Sequence, residues 1–467
     1  CVRVRAKHPH MIKRALLLAA LAASPLAAQT HPADSVSEDR LRGDVEKLVS
    51  FGTRHTLSAQ DDPERGIGAA VNWGLEEFRR IGAKCGGCLE VLPVGETVSG
   101  RRIPTPTLVR NAVAIQRGSE RPNEVVIVQG HIDSRVTDVM DATSDAPGAN
   151  DDGSGTALVI EAARALSGTA YPTTIIYALL SGEEQGLYGG RILADWAEAQ
   201  GFTVKAVLNN DIVGNSCGRD GYCESRVVRV FSEGPRADLT DDLRAAQSRF
   251  GGENDSPGRN LSRWVAGLAE KHPDGLQVRQ IWRTDRMGRG GDQVPFLQKG
   301  YPAIRFTVGV EDFDHQHQDL RTEDGVFYGD TIEEMDFAYL AGVTRLNVRA
   351  LDALARAPMP PKVTMDAAVR VDTEVKWAPV IGASEYRVFA RPTDGPKWAS
   401  VVVGNRPMVA KMADVARGFP DKEPVNISAI LKLRGDDWLF GVAACAGEFC
   451  SPVSSAVPGG AFEPVAR

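Results

Sequence analysis

The chain has 467 residues, enough for more than one domain, and its 43% hydrophobic and 25% charged residues are those of an ordinary globular protein, which excludes a disordered or fibrous chain. The 54 Lys and Arg against 61 Asp and Glu leave a net charge of −7, which argues against nucleic acid or an anionic membrane surface as a partner.

In chain order, residues 1–10 precede Met11. Lys13-Arg14, an apolar run from Ala15 to Ala23 and small residues ending near Ala28 then have the anatomy of a secretory signal peptide, too short to span a bilayer. The expectation is a mature protein that is secreted or periplasmic, without a membrane span, after loss of residues 1–28. Of seven cysteines, Cys1 falls in the leader and the rest lie in local pairs, Cys85/Cys88, Cys217/Cys223 and Cys445/Cys450. In an exported chain such pairs read as disulfides. A zinc knuckle at Cys85-Gly86-Gly87-Cys88 would need a second such motif, and none is present.

Residues 36–50 and 65–80 have helical periodicity, with Leu41, Val45 and Leu48 on one face and Ile67, Val71, Leu75 and Phe78 on the other. His55 lies between them and follows no strand, so it reads as a loop histidine near a site mouth.

The most informative stretch is 125–184. Val125-Val126-Ile127-Val128-Gln129-Gly130 runs into His131 and Asp133, and Thr173-Thr174-Ile175-Ile176-Tyr177-Ala178-Leu179-Leu180 runs into Glu183 and Glu184. Short β-branched runs of this kind are strands buried on both faces, and open parallel sheets place ligand sites beyond the carboxyl ends of such strands. His131 and Asp133 leave the same face of an extended segment, so Asp133 can hold the second nitrogen of His131 or simply cap the strand. Asp151 and Asp152 precede Gly153-Ser154-Gly155, which opens an amphipathic helix to about Leu166. One helix cap needs one carboxylate, and the other is left free to bridge metals. Adjacent Glu183 and Glu184 diverge, as a ligand and an unligated proton carrier must.

Two further strands repeat the arrangement. Val204 to Asn210 ends on Asp211, and Ala303 to Val308 leads to Glu311-Asp312-Phe313-Asp314-His315-Gln316-His317-Gln318-Asp319. One end of one sheet therefore collects His, Asp and Glu from four strands.

The succession GHIDS, NDDGSG, SGEEQGLYGG, NNDIVGN and FDHQHQD, across roughly residues 40–355, resembles the co-catalytic di-zinc aminopeptidases of the bacterial leucyl aminopeptidase type, metallopeptidase family twenty-eight. The resemblance implies a mixed, mostly parallel α/β sheet with helices on both faces and a co-catalytic pair of zinc ions. It makes His131 and Asp211 ligands of one zinc, Glu184 and a C-terminal histidine ligands of the other, and Asp151 the bridge. Glu183 matches the general base and Asp133 the carboxylate behind the first histidine. A cis peptide at Asp151-Asp152 is also implied. The family usually places an Asp four residues after its last histidine, and Asp319 then selects His315 over His317. Asp314 stands where some members carry a Tyr. Gly290-Gly291-Asp292-Gln293-Val294-Pro295-Phe296 looks like the loop beside the substrate pocket, and equally like a turn feeding the last strand.

Asp330 to Ala355 reads as a closing helix and residues 357–361 as a linker by composition. Short alternating strands follow, around Trp377, Tyr386-Arg387-Val388-Phe389-Ala390-Arg391 and Trp438 to Ala444, which indicates an all-β sandwich resembling a fibronectin type III domain. The expected division is a leader at 1–28, a peptidase domain at 29–356, a linker at 357–361, a sandwich at 362–458 and a tail at 459–467. The expected function is a secreted zinc aminopeptidase acting on peptides with a free N-terminus, while any partner of the sandwich is unassigned. The alternatives are a carboxypeptidase or dipeptidase, with Arg305 or Arg321 holding the substrate carboxylate, a glutaminyl cyclotransferase, or a non-catalytic binding protein.

Overall fold

The computed structural model describes residues 30–403, 406–411 and 426–465; the expected leader lies outside them. Two helices open the described chain, α1 (Glu38–Val49) and α2 (Ile67–Lys84), and they bury the expected faces, Leu41, Val45 and Leu48 in α1 and Ile67, Val71, Leu75 and Phe78 in α2. Strands β1 (Glu90–Gly100), β2 (Ile103–Gln116) and β3 (Arg121–His131) follow, then α3 (Gly153–Leu166), β4 (Thr173–Leu180), α4 (Tyr188–Ala199), β5 (Thr203–Asn210) and β6 (Val227–Phe231). The rest of this part is α5 (Asp241–Phe250), α6 (Pro257–Glu270), β7 (Gln277–Ile281), α7 (Gln293–Gln298), β8 (Ala303–Val308), a hairpin of β9 (Arg321–Glu323) and β10 (Val326–Tyr328), and α8 (Phe337–Arg356).

The eight strands β1 to β8 form one sheet in the order β1-β2-β4-β3-β5-β8-β6-β7. Pairs β4-β3, β3-β5, β5-β8 and β6-β7 are parallel, and β1-β2, β2-β4 and β8-β6 are antiparallel. Alternate side chains of each central strand feed opposite cores. Val126, Val128, Tyr177, Leu179 and Leu208 pack under α1, α2, α3 and α8. Val125, Ile127, Ile176, Ala178 and Val207 pack under α4 and α7. The four parallel strands in the middle therefore end together, and their carboxyl ends carry the residues singled out above.

Beyond α8, strands at Val363–Asp366, Thr373–Trp377 and Ile427–Leu431 make one antiparallel sheet, and a second is centred on Glu385–Pro392 and Trp438–Ala446. Trp377, Val388, Phe440 and Val442 from the two sheets share one core, which makes this region a β-sandwich. The sandwich is joined to α6 through Asp255, whose Oδ1 accepts Arg263 Nη1 at 3.0 Å and, from the sandwich, Arg391 Nη2 at 2.5 Å. Trp264 Nε1 donates to Cys450 O at 3.0 Å and Trp398 Nε1 to Asn260 Oδ1 at 2.9 Å across the same seam. The expected linker is not a free tether. Ala357, Pro358, Pro360 and Pro361 are buried, and the buried Lys205 of β5 donates to Leu354 O at 3.1 Å and Ala357 O at 2.6 Å. All three expected cysteine pairs are bonded.

Candidate metal centre

The carboxylate of Asp152 organises the base of the site. Its Oδ2 accepts the His131 N–H at 2.9 Å, and its Oδ1 accepts Gly155 N–H at 2.9 Å and Ile212 N–H at 3.1 Å, so it caps α3 and ties the ends of β3 and β5 to it. These backbones converge so closely that a Cβ on Gly155 would stand 2.2 Å from Asn210 O, which accounts for glycine there. With Asp152 used as the cap, Asp151 is the free carboxylate, and the Asp151-Asp152 peptide is cis.

Asp151 is held from the other side by residues that carry no sequence signal. Asp330 accepts the N–H of Asn150 at 2.8 Å and of Asp151 at 2.7 Å. Buried Arg54 donates to four main-chain carbonyls, Ile132 at 2.7 Å, Leu48 at 3.2 Å, Pro147 at 2.5 Å and Gly148 at 2.9 Å, and so clamps the loop leading to Asp151 onto β3.

The resulting geometry is two-sided. Asp151 Oδ1 lies 3.0 Å from His131 Nε2, which is also 3.9 Å from Asp211 Oδ1. Asp151 Oδ2 lies 2.8 Å from His317 Nε2, which is also 2.9 Å from Glu184 Oε1. Each oxygen of one carboxylate thus faces a different imidazole, and each imidazole faces a further carboxylate. Ligand atoms of His131, Asp151 and Glu184 all fall within 4.8 Å of one another.

This donor set fits zinc. The Nδ1 of His131 lies 3.0 Å from Asp133 O, and donation there turns the Nε2 lone pair toward two carboxylate oxygens, an arrangement that requires a proton or a cation between them. Burial opposes a charge on His317, yet the neighbouring Glu184 and Asp151 raise it to about 9, and His131 is likewise raised by the Asp133, Asp151 and Asp211 carboxylates. Burial also opposes ionisation of Asp151, but His317 and His131 hold its carboxyl well below the usual range. The centre draws positive charge to itself.

Asp133 does more than stand behind His131. Its Oδ1 is 3.6 Å from His131 Nδ1 and accepts Glu183 N–H at 3.2 Å, while its Oδ2 accepts Glu184 N–H at 3.2 Å and Thr56 Oγ1–H at 2.9 Å. It therefore sets the backbone of both glutamates. Glu183 is half-buried at the edge of the cluster, and burial together with the charges of Glu184, Asp211 and Asp292 pushes its carboxyl up. Asp292, in the Gly290-Gly291-Asp292 loop, is buried against α4, where its Oδ1 accepts Gly190 N–H at 3.1 Å.

His317, and not the expected His315, is the histidine that the structure brings to the cluster. His315 turns away, with Nδ1 3.1 Å from Asp312 and Nε2 3.6 Å from Glu334. Asp319, four residues after His315, accepts Thr137 N–H at 3.2 Å. The group behind His317 is Arg135, whose Nη2 is 2.6 Å from His317 Nδ1 and whose Nε donates to Glu184 Oε2 at 2.9 Å. A left-handed backbone at His317, φ 56°, swings the side chain inward. Asp314 forms an ion pair with Arg219 at 3.0 Å. His55 is buried and does not join the cluster; its Nε2 lies 3.0 Å from Val139 O and 2.8 Å from Gln185 Nε2. Arg305 is fully buried and committed to Asp211 at 2.6 Å and Asp285 at 3.2 Å, so it is not open to a substrate carboxylate.

Residues 111–323 match the sequence profile of Peptidase family M28. A probable zinc metalloprotease of Leptosphaeria maculans is 46% identical over 419 residues, which cover 88% of this chain and 92% of that protein. Another, from Pyrenophora teres f. teres, is 45% identical over 420 residues, 88% of this chain and 83% of that protein. The crystal structure of Legionella LapA is similar in fold, with a TM-score of 0.51 at 20% identity over 69% of this chain and 74% of that one.

Proposed function

The chain belongs to peptidase family M28 and is a zinc metallopeptidase, and we propose that it is a secreted aminopeptidase that uses a pair of zinc ions. The observation that carries this reading is the two-sided Asp151: one oxygen toward His131 and Asp211, the other toward His317 and Glu184. In this reading His131 and Asp211 would hold one ion, His317 and Glu184 would hold the other, and Asp151 would serve both. Zinc bound there supplies a Lewis acid that polarises the scissile carbonyl and brings the acidity of water toward neutrality.

The chain's own groups do the rest. Glu183 takes the proton of the attacking water and returns it to the departing amine nitrogen. Asp133 holds that base through its backbone N–H and fixes the ring of His131. Arg135 holds Glu184 through its Nε–H. The Legionella protein of similar fold is an aminopeptidase, which favours a free N-terminus as the substrate feature. Three disulfides favour an oxidising compartment, and among the described residues no helix is long and apolar enough to cross a membrane.

The test is hydrolysis of a panel of aminoacyl-nitroanilides and N-blocked peptides, with and without chelator, beside Glu183→Gln. Chelator-sensitive release from free but not blocked N-termini is expected, and the Gln variant should lose roughly a hundredfold to ten-thousandfold in kcat while retaining its zinc. Turnover of blocked peptides only would replace the aminopeptidase reading with action elsewhere in the substrate.

A further inference from the structure

Between the turn after α6 and the first half of α8 lies a cavity of about 540 Å3, within the range of small-molecule sites. None of its lining residues belongs to the metal centre. Its floor is apolar. Leu276 and Leu346 line it with Gly342, where an added Cβ would stand 3.2 Å from the Leu276 side chain, so the absence of a side chain on α8 lets that leucine lie against the helix.

The walls are basic. Arg226, Lys271, Arg345 and Arg349 line the cavity against a single lining acid, Asp274. Arg349 is offset by Asp34 at 3.3 Å. By contrast, Arg226 donates to Pro273 O at 3.1 Å and Arg345 to Val36 O at 3.5 Å, and a main-chain carbonyl leaves a guanidinium its full charge. Lys271 is exposed at the end of α6. A chain whose net charge is −7 therefore sets three cations, Arg226, Lys271 and Arg345, against one lining acid, Asp274, around an apolar floor.

We propose that this cavity binds a small organic anion with an apolar body, the anionic head on Arg226, Lys271 and Arg345 and the body on Leu276 and Leu346. Charge-assisted hydrogen bonds would hold the head and burial of hydrocarbon the rest. The same chemistry is offered by a free medium-chain carboxylic acid and by the C-terminal residue of a peptide that ends on an apolar side chain.

The test is calorimetric titration of the zinc-loaded, full-length protein with octanoate, with N-acetyl-leucyl-leucine, whose N-terminus is blocked, and with inorganic phosphate. Saturable binding of one or both carboxylates is expected, and the tighter of the two identifies the source. Lys271→Gln and Arg345→Gln should each weaken it by about tenfold, the loss expected for one charge-assisted hydrogen bond. Ala338→Trp, which fills the cavity from an exposed position on α8, should abolish it. No saturable binding overturns the proposal, as does binding that persists in all three variants, because that places the carboxylate elsewhere. Phosphate binding as tightly as octanoate overturns the role of the apolar floor.

Discussion

The metal centre and the seam between α6 and the sandwich are both built from buried charges, with opposite balances. At the centre, the carboxylates of Asp151, Glu184 and Asp211 converge on the rings of His131 and His317. At the seam, the single carboxylate of Asp255 is shared by the guanidiniums of Arg263 and Arg391. The seam's charged groups bind one another across the two regions, which makes it a structural joint. At the centre Glu184 and Asp211 also have arginine partners, Arg135 and Arg305, but ligand atoms of His131, Asp151 and Glu184 converge within 4.8 Å of one another, the spacing of donors around a cation.

Substitution at His317 should break the comparison most sharply. His317→Ala is expected to retain about one equivalent of zinc rather than two and to lose at least about a hundredfold in kcat/KM, whereas His315→Ala should retain both ions. Metal analysis beside the nitroanilide assay decides it, and the reverse pattern would restore His315 as the ligand. At the seam, Asp255→Ala leaves buried arginines without their counter-ion and should cost about 3 to 5 kcal/mol in urea unfolding, with zinc content unchanged. A loss confined to zinc binding would mean that the seam is not a separate structural joint.

The smallest effect sharpens the comparison at the rim of the centre. Glu311 is buried, which opposes its charge, but Arg286, Arg289 and Arg229 hold its carboxyl at about 2. Because the folded-state value lies below the ordinary one, its contribution is complete above about pH 5 and is lost as pH falls toward 2, the unfolded chain taking up the proton first. Unfolding free energies of the parent and Glu311→Gln, from urea curves, should differ by roughly 2 kcal/mol at pH 6 and converge toward about pH 2.5. Parallel curves would mean that these arginines do not hold Glu311 charged.

Much of the centre was legible because buried parallel strands write themselves as apolar runs, and the residue after each run is placed by the strand. His131, Glu183, Glu184 and Asp211 are found in this way, and the doubled Asp151-Asp152 declared a cap and a spare carboxylate. The choice between His315 and His317 was not legible. Both stand in the same loop two residues apart, and the selection is made by a left-handed turn and by Arg135, which lies 182 positions away in sequence. Asp330 and Arg54 were invisible for a related reason: they act on main-chain N–H and carbonyl groups, which every residue has. Strand β6 and the edge strand β7 carry mixed polar and apolar residues without a long buried run, and the seam pairs single residues distant in sequence.

The burial of Ala357, Pro358, Pro360 and Pro361 bears on how the chain meets other proteases. Proteolytic trimming needs several residues of extended chain to enter a protease cleft, and here that stretch is pinned beneath the last turn of α8 by the ammonium of Lys205. Peptidases sharing its surroundings would first have to wait for that end of the molecule to open. At its entry the C-terminal region is therefore guarded by the fold of the peptidase part, and a cut at this point would require the end of α8 to open first.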